Sequence, residues 1–170
     1  RKNEIRQLTA LLADRAKSDS DSDADSYFIA LGDFNIVGPE HETMDALKTN
    51  KFVIPEPLQN VPGTNVKQDK FYDQIALWTG KSSRRKTYTR ILPYRAGVFD
   101  FFDFVYRTDE EDTYRPFMRK PGSDNFYSSY AAWRTHQMSD HLPMWVELQI
   151  DFAQEYLDEV EADIQTHLDG

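Results

Sequence analysis

Cysteine is absent from this 170-residue chain, which excludes a disulfide framework and any thiolate metal site. No apolar run is long enough to span a membrane, and no secretory signal pattern is present. A basic balance is missing too: 20 Lys and Arg stand against 29 Asp and Glu, for a formal net charge of −9. Proteins that grip nucleic acid mainly through its phosphates usually carry a basic face, so the composition argues against tight nonspecific DNA binding. The single basic cluster, Lys81-Ser82-Ser83-Arg84-Arg85-Lys86 followed by Arg90 and Arg95, fits a solvated loop better than a substrate-contacting patch. Also missing are a glycine-rich phosphate loop, a serine nucleophile elbow, a dinucleotide fingerprint and an internal repeat. The first residue is Arg1 rather than an initiator Met, the pattern of a fragment or a processed product. Nothing in the sequence assigns a compartment.

What is present is an aromatic-rich chain with eleven Phe and nine Tyr, long enough for one domain with a real core. The pattern alternates helix and strand. Ile5, Leu8, Leu11 and Leu12 predict an amphipathic helix over Glu4 to Ala16. The Ser/Asp run Ser18 to Ser26 predicts a mobile acidic loop, lacking the glycine and terminal glutamate of a calcium-binding EF-hand loop. Tyr27 to Leu31 predicts a strand too apolar for a sheet edge. Glu40 to Lys48 predicts a helix with Met44 and Leu47 on its apolar face, and Phe52-Val53 a brief strand. Pro55, Pro57, Pro62 and Gly63 mark a loop. Phe71 to Trp78, Tyr88 to Leu92 and Met144 to Ile150 predict further strands, the last from clear alternation. Phe99 to Tyr106 fits strand or helix equally. Tyr106 to Ser129 predicts a long surface excursion, Tyr127 to Trp133 a helical turn or two, and residues 151–170 a C-terminal helix.

Two short segments hold the chemistry. Gly32-Asp33-Phe34-Asn35 ends one apolar run, and Ser139-Asp140-His141-Leu142-Pro143 opens another. Carboxylate, amide and imidazole at strand ends are the parts needed to hold a divalent cation and a phosphate. Asn35 shares the side of Asp33 if strand geometry continues; an Asx turn is an equal alternative for this Asp/Asn pair. Pro143 fixes the backbone after Asp140-His141 and keeps Leu142 extended. The bland alternative there is a capping Asp beside a surface His. A third element is Asp73, inside the otherwise apolar Phe71 to Trp78 run. Acids are rarely buried without a partner, and a histidine is a natural one because a carboxylate fixes its tautomer. Asp73 and His141 therefore suggest a base and its orienter.

In this order, Gly32-Asp33-Phe34-Asn35, Tyr72-Asp73-Gln74-Ile75 and Ser139-Asp140-His141-Leu142-Pro143 resemble the endonuclease/exonuclease/phosphatase superfamily. Tyr-Asp-Gln-Ile is similar to the Tyr-Asp-Arg-Ile strand of its pancreatic-type deoxyribonucleases. The resemblance implies an α/β fold, a four-layer αββα sandwich, present here as a partial domain. It implies hydrolysis of a phosphodiester or phosphomonoester with Mg²⁺ or Mn²⁺. Position by position, it makes Asp33 the acid that handles a water or leaving-group proton and Asn35 the phosphate-contacting amide. Asp140, with Asp33, becomes metal-proximal; His141 becomes the base or phosphate donor, oriented by Asp73.

Such domains are usually longer than 170 residues, and their N-terminal half supplies the chief metal-binding Glu. Glu4, Glu40 and Glu42 lie in no such context. The chain therefore reads as the C-terminal half of the domain, inactive or nearly so alone. Its apolar sheet surface would be covered by the missing half, another copy or a partner. Nucleic acid, a nucleotide and a phosphorylated head group all suit the site chemistry as substrate. Trp133 and Arg134 are expected at the substrate rim, with packing and solvated charge as their plain alternatives. The contrasting reading of the whole chain is a non-catalytic binding or self-associating module on the same fold.

Overall fold

The computed structural model describes residues 1–20, 28–78, 91–150, 157–158 and 164–165. Helix α1 spans Lys2–Ser20, so Ser18 to Ser20 continue the helix where the polar run predicted a loop; residues 21–26 lie outside the described residues. The buried face of α1 keeps only part of the predicted stripe, with Ile5 in the core and Leu12 packed against it. Leu8 and Leu11 are exposed, whereas Ile5, Thr9, Ala13 and Ala16 are buried. Small residues win because α1 packs against helix α2, Glu42–Lys48, and the tight turn that follows it. Thr9 lies within hydrogen-bonding distance of the Thr49 hydroxyl (3.3 Å), and Asn50 Nδ2 donates to Thr9 Oγ1 (3.2 Å). A leucine at that contact would hold the helix too far away to make these bonds.

Helix α2 buries Met44, Ala46 and Leu47, as its pattern predicted, and begins two residues later than Glu40. His41 caps it, its Nδ1 accepting the Thr43 N–H. Strand β1 is Ile29–Ile36, β2 is Phe52–Val53 and β3 is Phe71–Trp78. They form one antiparallel sheet in the order β1-β3-β2. β1 is thus an edge among the described residues, against expectation. Its Leu31 is 69% exposed and Ile29 41%.

The register pairs Ala30 with Ala76, Leu31 with Ile75, Gly32 with Gln74 and Asp33 with Asp73. Strand side chains alternate, so Ala30 and Gly32 take one face of β1 as far as the register shift after Asp33; Ala30, Phe34 and, beyond the shift, Ile36 are all buried with α1, α2 and Phe52 in one core. Full burial of Ile36, Leu47 and Phe52 stabilises the fold by about 1.5–3 kcal/mol for each side chain. The other face of β1 carries Leu31 and Asp33.

A second antiparallel sheet pairs β4, Ile91–Val98, with β5, Met144–Ile150. β4 extends past the predicted end at Leu92 to Val98; residues 79–90, and with them Tyr88 to Arg90 of that prediction, lie outside the described residues. Pro93 sits beside a register shift, where a missing N–H is tolerated. β3 touches β5, and Ala96, Met144 and Val146 pack against the main core. The architecture is therefore mixed helix and sheet with two antiparallel sheets in contact.

Between the sheets' last strands lies a chain of short turns. Phe99 to Tyr106 is neither strand nor α-helix: Asp100 caps a single 3-10 turn, Phe101–Asp103, by accepting the Phe102 N–H. The excursion after Tyr106 is more than a surface loop. With helices α3, Glu111–Tyr114, and α4, Tyr130–Gln137, it closes a satellite core of Met118, Tyr130 and Trp133 against Tyr106, Tyr114 and Tyr127. Of the predicted C-terminal helix, residues 157–158 and 164–165 are helical and the remainder lies outside the described residues. No helix among the described residues is long and apolar enough to cross a membrane.

Candidate active site

The antiparallel register sets Asp33 of β1 directly opposite Asp73 of β3. Like charges so placed destabilise a sheet, so a positive group nearby offsets a real cost. His141 supplies it. Its Nδ1 lies 2.8 Å from Asp73 Oδ2, and Asp33, Asp73 and His141 each offer a ligand atom within 4.8 Å of the other two. The Asp73 and His141 side chains are 25% and 27% exposed, half-buried but open to a substrate. Asp73 is therefore not the outward-facing strand residue that its polarity alone allows. The His141 ring stacks on Tyr72, centroids 5.3 Å apart at 28°, and its main-chain N–H donates to Ser139 Oγ.

Burial pushes the His141 pKa down. The hydrogen bond that His141 Nδ1 donates to Asp73 and the charges of Asp73, Asp33 and Asp140 push it up, and they prevail, so the imidazole holds its proton to higher pH than a free one. With Nδ1 facing a carboxylate, the neutral ring carries its proton there and leaves Nε2 free as acceptor.

Asn35 is tied to the site through its main chain rather than placed there by strand alternation. The β1–β3 ladder shifts register between Asp33 and Ile36, and Asn35 adopts φ 52°, a left-handed conformation that Asn tolerates. Asp33 Oδ1 accepts the Asn35 N–H at 2.8 Å, closing an Asx turn. The ladder and the turn thus both occur, in succession, and the expectation of a continued strand fails at the bulge. Gly32, at φ 148°, marks where a residue with a Cβ would be strained.

Asp140 is exposed. Its carbonyl accepts the Val66 N–H and its charge acts on His141, but the three-residue group contains Asp73 where Asp140 was expected. The rim assignments fall. Trp133 is buried, stacked on Tyr114 and Tyr130 and edge-on to Tyr106. Arg134 lies over the Phe102 ring at 4.4 Å and donates to Tyr106 O and Thr108 Oγ1. It is neither a rim contact nor a solvated charge.

Thr64 and Asn65, which the sequence did not single out, border the site beside Tyr72 of the second motif. Thr64 is buried, accepts the Asp73 N–H on its hydroxyl (3.0 Å) and the Leu142 N–H on its carbonyl (2.6 Å). Asn65 forms an antiparallel bridge with His141. Their signal in the sequence is only a Pro-Gly turn, which says nothing of its target.

Asp33 and Asp73 are hard oxygen donors of the kind Mg²⁺ and Mn²⁺ take, and their opposed charges suit a divalent cation. His141 Nδ1 is already engaged by Asp73. No Glu joins the group among the described residues; Glu42 is held instead by Lys2 Nζ at 2.7 Å. The donor set fits such a cation as a partial site of two carboxylates. Comparison of the chain with protein-family models, curated proteins and solved structures gives no match.

Proposed function

We propose that this chain carries the proton-handling side of a metal-dependent phosphoester hydrolase, of the endonuclease/exonuclease/phosphatase type. The observation that carries the proposal is the convergence of Asp33, Asp73 and His141, from motifs far apart in sequence, into one group in which Asp33 is exposed and the other two are half-buried. A pure binding surface has no use for two opposed carboxylates and an oriented imidazole.

Asp33 and Asp73 would hold Mg²⁺ or Mn²⁺, which when bound would supply Lewis acidity toward a phosphoryl oxygen. His141 Nε2 takes a proton from the attacking water, or donates to the phosphate, while Asp73 holds the ring and stabilises its charged form. Asp33 handles the second proton, and the Asn35 amide donates to a phosphoryl oxygen. The substrate class within phosphoesters is set by the flanking loops.

The test is hydrolysis of plasmid DNA, RNA and a chromogenic phosphodiester by the natural gene product beside the 170-residue chain, with Mg²⁺, Mn²⁺ or EDTA. EDTA-sensitive turnover that His141→Ala abolishes supports the proposal. Turnover that His141→Ala leaves intact, or none on any substrate, overturns it. Activity in the 170-residue chain alone would place the complete metal site within it.

A self-associating module on the same fold is the second reading, favoured by exposed Ile29 and Leu31 on β1, an edge strand among the described residues. A strictly monomeric, folded chain by native mass spectrometry counts against it.

A further inference from the structure

We infer that Thr64 is a positioning residue for the Asp73–His141 pair, the hub of a strap that spans from β3 to the segment bearing His141. The inference rests on the proposed use of that pair, but its first test does not require activity.

The sheet explains why a strap is needed. β2 pairs with β3 only at Leu77 and Trp78. Further along β3, at Asp73, the edge facing away from β1 has no strand beside it among the described residues, and Thr64 fills the place. Its hydroxyl accepts the Asp73 N–H while its carbonyl accepts the Leu142 N–H. One buried residue thus ties the main chain of the orienting acid to the main chain next to the histidine. Val66 N–H to Asp140 O and the Asn65–His141 bridge continue the seam. The two side chains meet at 2.8 Å only while these two backbones keep their spacing.

The strap is itself built to be stiff. Asn65 Oδ1 accepts the N–H groups of Asp69 and Lys70, and its Nδ2 donates to Asp69 Oδ1. Thr64 N–H donates to Lys70 O at 2.7 Å, and Gly63 N–H to Gln68 O. A Cβ on Gly63 would lie 2.5 Å from both the N and the O of Lys70, so only glycine permits this closure. Thr64 is fully buried, which denies its hydroxyl the alternative of bulk water. A valine there keeps the shape and leaves the Asp73 N–H unpaired, a costly state for a half-buried donor.

The test compares Thr64→Val, Thr64→Ser and the parent chain. Long-range ¹H–¹⁵N correlation of the His141 ring, at a pH where the ring is neutral, reports its tautomer through carbon-bound protons. The ring is assigned by the signals lost in His141→Gln. The parent and Thr64→Ser are expected to show the Nδ1–H tautomer that Asp73 selects, and Thr64→Val a mixture. A folded Thr64→Val with the parent's tautomer overturns the inference, as does a parent without the Nδ1–H form. If Thr64→Val does not fold, Asn65→Ala loosens the strap from its exposed side and is expected to give the same mixture; an unchanged tautomer there overturns it equally. On the gene product, if active, Thr64→Val is expected to lower kcat about 10-fold or more, the low end for residues that orient active groups, with KM little changed and Thr64→Ser restoring the rate. An inactive gene product would defeat the hydrolase proposal while leaving the tautomer result to decide the role of Thr64.

Discussion

The site loop and the satellite core solve the same problem in opposite ways. Around Asp73 and His141, buried and half-buried polar groups are paired: the Thr64 hydroxyl and carbonyl, the Asn65 amide and the Asp73 carboxylate each have a hydrogen-bond partner. Around Trp133, rings pack on rings, and two buried polar atoms, Tyr130 Oη and Arg134 Nε, have no hydrogen-bond partner. Hydrogen bonds are directional, so the first region holds side-chain geometry to tenths of an ångström. Ring packing is broad in angle, so the second supplies bulk and burial without fixing one atom against another. A catalytic pair belongs in the first kind of region. Trp133 and Arg134, read as rim residues for their chemistry, belong to the second.

The sharpest way to break this contrast is at His141. His141→Ala in the active gene product is expected to lower kcat by about 10²–10⁴-fold, the contribution of a positioned acid/base group, with the melting temperature little changed. Near-normal turnover would reduce the site to a structural knot. The matching cut in the other region is Trp133→Ala. It is expected to cost about 3–5 kcal/mol in denaturant unfolding, as large-to-small changes in aromatic cores do, while leaving KM unaltered below the unfolding midpoint. A raised KM with unchanged stability would return Trp133 to the substrate.

Asp73→Asn separates orientation from chemistry. The charge of Asp73 favours imidazolium, so its loss lowers the His141 pKa. If neutral His141 is the base, activity rises as pH increases through its pKa, and the acidic limb of the profile moves to lower pH in the variant. The rate above that limb is expected to fall less than in His141→Ala. An unmoved limb would mean that another group sets it. Stability carries the opposite signature. A group whose pKa is raised by folding stabilises fully below its unfolded value and loses that contribution as pH climbs through the folded one. Urea midpoints of the parent are therefore expected to fall across and just above the ordinary histidine range, relative to Asp73→Asn, which takes away the hydrogen-bonded share of the elevation and leaves the charges of Asp33 and Asp140. Parallel midpoints would deny the coupling.

How much of this was visible in the chain divides along the same line. Period and polarity located α2 and β5, because each turns its apolar side chains to one face, and the apolar run located β3, although its most buried residues are Gln74 and Ala76. The three motifs were legible because acids and a histidine beside apolar runs are costly without a use. What stayed hidden depends on contacts distant in sequence. The Thr9 face of α1 beats its leucines only because the turn at Thr49 and Asn50 approaches it. The Asn35 bulge is a competition between ladder and Asx turn that local sequence leaves level. Thr64 looks like any turn residue until β2 stops short and exposes the edge of β3. Trp133 and Arg134 sit beside the last motif in sequence, and only the fold turns them away into the aromatic cluster.

The smallest effect tests the satellite core's tolerance directly. Tyr130 is 4% exposed, and burial above all, with Glu110, Tyr114 and Asp109 adding to it, holds its phenol above the ordinary tyrosine range. The group therefore stays neutral, and its buried oxygen lacks a partner. An unpaired buried hydroxyl is a cost already present in the folded state. Removing it keeps the ring stack with Tyr114 and Trp133 and relieves that cost. Tyr130→Phe is expected to leave stability unchanged or raise it by up to about 1 kcal/mol in denaturant unfolding. The contrast requires the reverse at Thr64: removing a buried hydroxyl there, by Thr64→Val, strips a partner from Asp73 and should destabilise. If Tyr130→Phe destabilises by as much as Thr64→Val, the phenol has a partner after all, and the two regions obey one rule.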